Sequence, residues 1–215
     1  MNEKFFDLSR EKQDRMINGA VEVFAKNGFK HASTDDMVKA VEVSKGLWFH
    51  YFGSKLGLYN FVYGYSVKYV ILELSSILDA DERDYFEVVK QMEFTKMRIK
   101  KKYPYMLMFL EQAQRETDAE VKAQIAEDQA FYNEKMNGFL KNADILTVEE
   151  KTQREKLKKL VQYTVNGIAA EQAYGESDPE AVYKEMRNQI ELIREMVQEK
   201  SQAENKEEKV STVAS

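Results

Sequence analysis

Residues 33–55 read STDDMVKAVEVSKGLWFHYFGSK, and they predict two helices of about two turns each, joined by a tight connection. A Ser-x-x-acid capping box begins at Ser33 and starts the first helix. Ser44 is placed to cap the second helix, and Gly53 is placed to end it. Helices this short are stable only when they pack against a third helix. The preceding segment supplies one, which ends at Gly28.

The order of these three helices predicts a helix-turn-helix, in which the second short helix enters the major groove of DNA. At about 100° per residue, Trp48 and Phe52 fall on one side of that helix and face a small core. Gly46, Leu47 and His50 fall on the opposite side. A helix that exposes glycine, leucine and imidazole on one face is unusual unless something covers the face. We interpret the covering partner as double-stranded DNA.

The rest of the chain predicts an all-α bundle, because only two prolines and nine glycines interrupt it. Helical patterns cover residues 9–27, 55–78, 81–102, 105–115, 117–140, 147–174 and a last helix from Asp178-Pro179. We therefore predict a helix-turn-helix domain over residues 1–54 and a helical domain over residues 55–198. The charged and apolar-poor residues 199–215 predict a frayed or disordered tail.

Composition limits the other classes of function. The chain has no cysteine, which excludes disulfides, thiolate metal sites and cysteine nucleophiles. The first eight residues lack the apolar core of a signal peptide, and the apolar segment 56–67 is too short to span a bilayer. The net charge of −5 is neutral evidence about DNA, since residues 1–60 carry nine Lys and Arg against eight Asp and Glu. A cytoplasmic protein without a metal, a cofactor or a membrane partner is expected.

Three motifs, FAKNGF at 24–29, Ser33-Thr34 and SKGLWFHYFGSK at 44–55, closely resemble the TetR family of transcriptional regulators. The resemblance covers about residues 15–59. It implies a helix-turn-helix followed by a ligand-binding and dimerising helical domain, with repression of a palindromic operator as the family default. Carried over by position, it implies a DNA-facing set made of Ser33, Thr34, Ser44, Lys45, Gly46, Leu47, Phe49, His50, Tyr51 and Lys55.

The sequence departs from the family pattern at two places. Val41-Glu42 stands in the turn where most members have Ala-Gly, so a residue other than glycine occupies a position that can require positive φ. Leu47 stands where a hydroxyl residue is usual, which removes one hydrogen bond to phosphate or base. Neither departure changes the assignment, but because of both, the operator sequence of another family member is not transferred to this chain.

A group of methionine and aromatic side chains is a candidate effector pocket. Such side chains adapt to irregular cavities and suit a small apolar or amphipathic molecule. The alternative is that they fill an ordinary core. The candidates are Phe94, Met97, Tyr103, Met106, Phe109, Tyr132, Met136 and Tyr163.

The last two predicted helices carry apolar seams that are a candidate homodimer interface. One seam consists of Leu157, Leu160, Val161, Thr164 and Ile168, and the other of Val182, Met186, Ile190, Ile193 and Val197. Ordinary packing within one chain is the alternative. A two-fold dimer is favoured because it places two recognition helices about 34–36 Å apart on one face of DNA.

Two rival classes of function are weighed against a DNA-binding regulator. An enzyme is disfavoured because no carboxylate pair has a spacing that ties it to a nucleophile, a metal or a phosphate loop. A helical protein-interaction module without DNA binding is the second rival. In a regulator, an effector that binds more tightly to the conformation without DNA increases the population of that conformation and releases the operator. The helix over residues 55–78 is expected to transmit this change, because it joins the DNA-binding module to the pocket region.

Overall fold

The structure is a computed structural model that describes residues 3–41, 45–171 and 178–213, with side chains at 4–39, 46–171 and 178–200. Over these residues it is all-α, as predicted, and has no strand beyond one isolated bridge between Asp84 and Asp144. The helices are α1 (Glu3–Phe6), α2 (Arg10–His31), α3 (Thr34–Val41), α4 (Lys45–Phe52), α5 (Lys55–Ile77), α6 (Tyr85–Lys102), α7 (Met106–Gln114), α8 (Ala119–Leu140), α9 (Lys151–Glu171) and α10 (Pro179–Val213). None of the helices in the described residues is long and apolar enough to cross a membrane.

Side-chain caps place the helix starts close to the predicted ones. The hydroxyl of Ser33 accepts the N–H groups of Asp35 and Asp36 at 3.2 and 3.4 Å, so Ser33 caps α3. Asp178 caps α10 by accepting the N–H of Glu180 at 3.1 Å. The start of α8 differs slightly from the prediction, because Asp118 rather than Thr117 supplies the capping oxygen.

Glycines with positive φ interrupt or end two helices of the N-terminal module. Gly28 has φ 66° and breaks α2, which then continues for three residues to His31. Gly53 has φ 72° and follows α4. Its N–H still donates to Phe49 O at 2.9 Å, which closes the last turn. Only glycine adopts this backbone conformation without a steric penalty, so both stop signals are explained by local geometry.

The last helix is longer than predicted. The sequence suggested a frayed or disordered tail from residue 199, whereas the backbone of α10 is helical as far as Val213. The segment is rich in Glu and Lys, which have high helix propensity. Low hydrophobicity therefore did not predict the backbone conformation of this segment.

Contacts divide the chain into two compact units that do not follow the predicted functional boundary at residue 54. The first unit is Met1–Ser76 with Arg98–Asn137, and the second is Ile77–Met97 with Gly138–Ser215. In the first unit, α2 packs on both α3 and α7. The helix-turn-helix therefore shares its core with part of the helical domain, while the boundary at residue 54 stays a prediction about function.

A hydrogen-bonded chain joins three helices of the first unit. The hydroxyl of Tyr103, which follows α6 and is fully buried, donates to the carboxylate of Asp14 on α2. The hydroxyl of Tyr65 on α5 lies 2.9 Å from the same Tyr103 oxygen. Burial, followed by the bonds to Asp14 and Tyr65, raises the pKa of Tyr103, so this hydroxyl stays protonated and remains a donor.

Removing this one hydroxyl tests the link. We expect Tyr103→Phe to lower the free energy of unfolding by about 1–2 kcal/mol, because Asp14 and Tyr65 both lose a partner while the ring keeps its packing. Tyr183→Phe is the matched control, since Tyr183 lies outside this set of hydrogen bonds and packs through its ring, with its centroid 5.5 Å from that of Phe94. Urea titration of both variants measures the effect, and equal stability of the two would contradict the link.

In the second unit, ion pairs hold α10 against the start of α6. Arg194 donates to Asp84 at 2.7 Å and to Glu87 at 2.6 Å. Lys90 pairs with Glu87 at 2.7 Å and also with Glu191. Single exposed ion pairs stabilise little, but this connected set fixes which face of α10 turns toward α6.

Candidate nucleic-acid interface

The helix α4 has the orientation that its periodicity predicts. Trp48 is 1% exposed and its ring centroid lies 5.3 Å from that of Phe52, with an angle of 68° between the ring planes. Leu47 and Phe49 are 37% and 39% exposed, which is high for large apolar side chains. One side of α4 is therefore fixed in the core, and the other is presented outward.

The outward side of α4 leaves open space in front of the helix backbone. Gly46 and His50 are both exposed. A Cβ atom added at Gly46 would meet no atom within 4 Å, so the space in front of the backbone is open. Tyr51 is half-buried at the rim of this surface, and its ring centroid lies 5.6 Å from that of His50. We call Gly46, Leu47, Phe49, His50 and Tyr51 the α4 face.

The other predicted DNA-facing residues divide into three cases. Ser33 is occupied as the cap of α3, and Thr34 is half-buried at its first position. Ser44 and the side chain of Lys45 lie outside the described residues, as does the Val41-Glu42 turn. Lys55 is described, and its surroundings are different from those expected of a phosphate contact.

The ammonium group of Lys55 is bound to the protein itself. It donates to the carbonyl oxygens of Phe29, Lys30 and Ala32 at 2.8, 3.4 and 3.3 Å. It also lies 4.5 Å from the ring centroid of Phe29, within the range of a cation–π contact. These carbonyls end α2, where helix geometry leaves them without partners. In this structure Lys55 therefore joins the start of α5 to the end of α2.

The candidate effector residues lie in different surroundings. Tyr103, Met106 and Phe109 are fully buried in the first unit, and Phe109 packs among the rings of Phe24, Tyr59 and Tyr63. Phe94, Met97, Tyr132 and Met136 are half-buried, and Tyr163 is 70% exposed. For the three fully buried residues the structure favours the alternative reading, in which they fill a core.

The second unit contains a small cavity that the sequence did not indicate. Its volume is about 70 Å³, and its lining includes Asp84, Asp144, Ile145 and Arg194. None of the candidate effector residues lines it. Cavities that bury small organic ligands are several times larger, typically about 300–1,000 Å³. We therefore assign no effector to it.

The candidate dimer residues also separate by burial. Val161 and Ile190 are 0% exposed, and Met186 and Val197 are 5% and 9% exposed. Their burial within one chain favours intrachain packing for these four. Leu157, Thr164, Ile168, Val182 and Ile193 are half-buried.

The outer surfaces of α9 and α10 carry four exposed apolar side chains, of which the sequence analysis placed Leu160 in the dimer seam and Tyr163 in the effector pocket and selected neither of the other two. Leu160 and Tyr163 on α9 are 48% and 70% exposed, and Leu192 and Met196 on α10 are 50% and 62% exposed. Their spacings of three and four residues place each pair on one helix face. We call these four residues the outer seam. Their periodicity was visible in the sequence, but it did not reveal which face points outward.

Comparisons with known proteins agree with the geometry of the N-terminal module. Residues 16–61 match the family model described as "Bacterial regulatory proteins, tetR family". No curated protein sequence matches the chain. The family match thus covers most of α2, all of α3 and α4 and the start of α5, and it includes the α4 face.

Solved structures extend the similarity to most of the chain. A TetR-like transcriptional regulator from Rhodococcus sp. RHA1 has a TM-score of 0.57 and 20% identity, over 85% of this chain and 96% of that one. PfmR, a TetR family transcriptional regulator from Thermus thermophilus, has a TM-score of 0.57 and 18% identity, over 83% of this chain and 96% of its own. The fatty acid degradation regulator FadR from Bacillus halodurans has a TM-score of 0.57 and 16% identity, over 82% of this chain and 96% of its own. At these identities the likeness shows the fold.

Proposed function

We propose that this chain, which has a TetR-type DNA-binding helix-turn-helix and the fold of TetR-family regulators, is a ligand-responsive cytoplasmic repressor that binds a palindromic operator as a homodimer. The observation that supports it best is the α4 face. Exposed Gly46, Leu47, Phe49 and His50 lie opposite a buried Trp48, and that surface suits a major groove. No catalytic role is assigned to the chain.

The chemistry of the α4 face suits contact with duplex DNA. Gly46 permits close approach of the helix backbone, and Leu47 offers an apolar contact to the methyl group of thymine. His50 and Tyr51 supply hydrogen-bond donors for phosphate oxygens. The face thus combines groups that position a protein on the backbone with one that reads a base.

The outer seam supports dimerisation through α9 and α10, which pack against each other within the chain. Large apolar side chains in such an arrangement are typical of a protein–protein interface. A two-fold contact of this kind brings the same surface of both protomers together. Two copies of α4 then reach two half-sites of one operator.

One buried hydroxyl in the first unit supports a small amphipathic effector. Tyr63 is fully buried, and among the described residues its hydroxyl has no hydrogen-bond partner. Burial raises its pKa, with smaller contributions from Tyr132 and Asp128 on α8. A polar group on an otherwise apolar effector would satisfy this hydroxyl. The chain of Tyr65, Tyr103 and Asp14 is the proposed connection from this region to α2.

Selection of duplexes from a random library tests the proposed function. The chain is expected to enrich a sequence with two-fold symmetry and then to shift that duplex in gel electrophoresis. It is also expected to shift the fragment upstream of its own gene. Retention of no duplex at low salt would support the rival, a protein-interaction module. Enrichment of a site without symmetry would remove the palindromic dimer from the proposal while leaving DNA binding in place.

A further inference from the structure

The short helix α1 lies against the end of the recognition helix, although it precedes the segment that matches the family model, residues 16–61. Phe5 on α1 is 0% exposed. Its ring centroid lies 4.9 Å from that of Phe61, 5.5 Å from Phe52 and 6.0 Å from Tyr51. A residue at the very start of the chain therefore closes the core beneath the α4 face.

Hydrogen bonds fix the turn that carries Phe5. The side-chain amide of Gln13 donates to the carbonyl oxygens of Phe6 and Leu8 at 3.1 and 2.8 Å. Gln13 is 8% exposed, so this amide is committed to the turn rather than to solvent. Ser9 caps α2 by accepting the N–H of Lys12 at 3.4 Å. The N-terminal segment is thus built into the module instead of trailing from it.

The contact between Phe5 and Tyr51 is an edge-to-face pair, with an angle of 81° between the ring planes. Tyr51 also has Phe52 as a ring neighbour, at 6.2 Å. Such packing limits the rotation of a side chain that otherwise stands at a surface. Phe6 provides a contrast, because it is 46% exposed and its ring contacts reach Phe5 and Phe61 instead.

We propose that Phe5 is a positioning residue for DNA binding, which holds Tyr51 in the orientation that contacts the phosphate backbone. The inference rests on the proposed function, since this role of Tyr51 exists only on DNA. In this proposal, packing of the N-terminal helix α1 supports the helix-turn-helix. Preorganisation of a contact residue by its neighbours increases affinity because less side-chain freedom is lost on binding.

A double-mutant cycle separates positioning from general stabilisation. The probe is the duplex that the wild-type chain selects from random sequence. Tyr51→Phe, which removes only the hydroxyl, is expected to weaken binding about tenfold, as is Phe5→Ala. The double variant is expected to bind within about twofold of Phe5→Ala, because the hydroxyl is already misplaced. Additive losses would overturn the inference.

Controls keep the result specific to Phe5. Phe6→Ala, the neighbouring substitution of the same kind, is expected to bind within about twofold of the wild type. Helix content by circular dichroism and emission of Trp48, the one tryptophan of the chain, establish that each variant is folded. If Phe5→Ala loses helix content, Phe5→Leu replaces it in the cycle, and additivity there overturns the inference equally.

The outcomes also distinguish the two proposals. A wild-type chain that selects no duplex overturns the proposed function and the role of Phe5 with it. A wild-type chain that selects a duplex, combined with additive variants, overturns the role of Phe5 alone. Loss of binding in Phe6→Ala equal to that in Phe5→Ala would show a nonspecific effect of the segment and would also overturn it.

Discussion

The double variant Tyr163→Glu/Leu192→Glu is expected to sediment as a monomer and to bind the selected duplex at least about 100-fold more weakly than the wild type. Each substitution places a carboxylate on the outer seam, where the side chains are 70% and 50% exposed in the single chain. In a two-fold dimer each carboxylate enters an apolar contact without a partner. Loss of the second DNA-binding module removes an avidity effect of about 10²–10⁴.

Exposure makes this variant a clean test, because the single chain loses little when these residues change. Leu72→Glu is the matched control, since Leu72 on α5 is 67% exposed and lies outside α9 and α10. It is expected to remain dimeric and to bind DNA normally. A dimeric Tyr163→Glu/Leu192→Glu variant in analytical ultracentrifugation would rule out the outer seam as the interface.

Charge at Ile190 is expected to act differently, although Ile190 belongs to the apolar seam predicted from the sequence. Its side chain is 0% exposed within one chain. Ile190→Asp therefore buries an unpaired carboxylate in the protomer and is expected to unfold it rather than to release a folded monomer. An unfolded Ile190→Asp variant and a folded, monomeric Tyr163→Glu/Leu192→Glu variant would together distinguish the inner face of α10 from its outer face.

Features of the fold that depend on residues close together in the sequence were predictable, whereas features that depend on distant contacts were not. The caps at Ser33 and Asp178, the stops at Gly28 and Gly53, and the inward side of α4 depend on neighbours within four residues. Each was predictable from local spacing. The family resemblance added the DNA-facing set, and the matched segment at 16–61 agrees with its location.

Features that depend on distant parts of the chain were not predictable in this way. Phe5 meets Phe52 and Phe61 across more than 40 residues, and the sequence offers no periodicity that connects them. Both α9 and α10 have apolar residues on two faces, so spacing alone selected a dimer seam in which Val161, Met186, Ile190 and Val197 are buried within one chain. Tyr103 was selected as an effector residue for its ring, whereas its hydroxyl bond to Asp14 determines its place.

Lys55, a residue carried over from the family as a phosphate contact, has a tertiary contact that offers it a structural role instead. Its three carbonyl partners lie 23–26 residues away along the chain. We expect Lys55→Met to lower the free energy of unfolding by about 2–3 kcal/mol, because the end of α2 loses a charged donor and Phe29 loses its cation–π contact. This corresponds to a fall in Tm of roughly 5–10 °C.

The salt dependence of DNA binding separates this structural role from a phosphate contact. A lysine that neutralises a phosphate contributes about 0.9 to the slope of log K against log salt, or about 1.8 for the two copies in a dimer. We expect the slope for Lys55→Met to equal that of the wild type when both are measured below the unfolding transition. Lys68→Met, an exposed lysine on the same helix, controls for the loss of charge. A shallower slope with unchanged stability would return Lys55 to the phosphate-binding set, and the bond from α5 to the end of α2 would then be exchanged for DNA on binding.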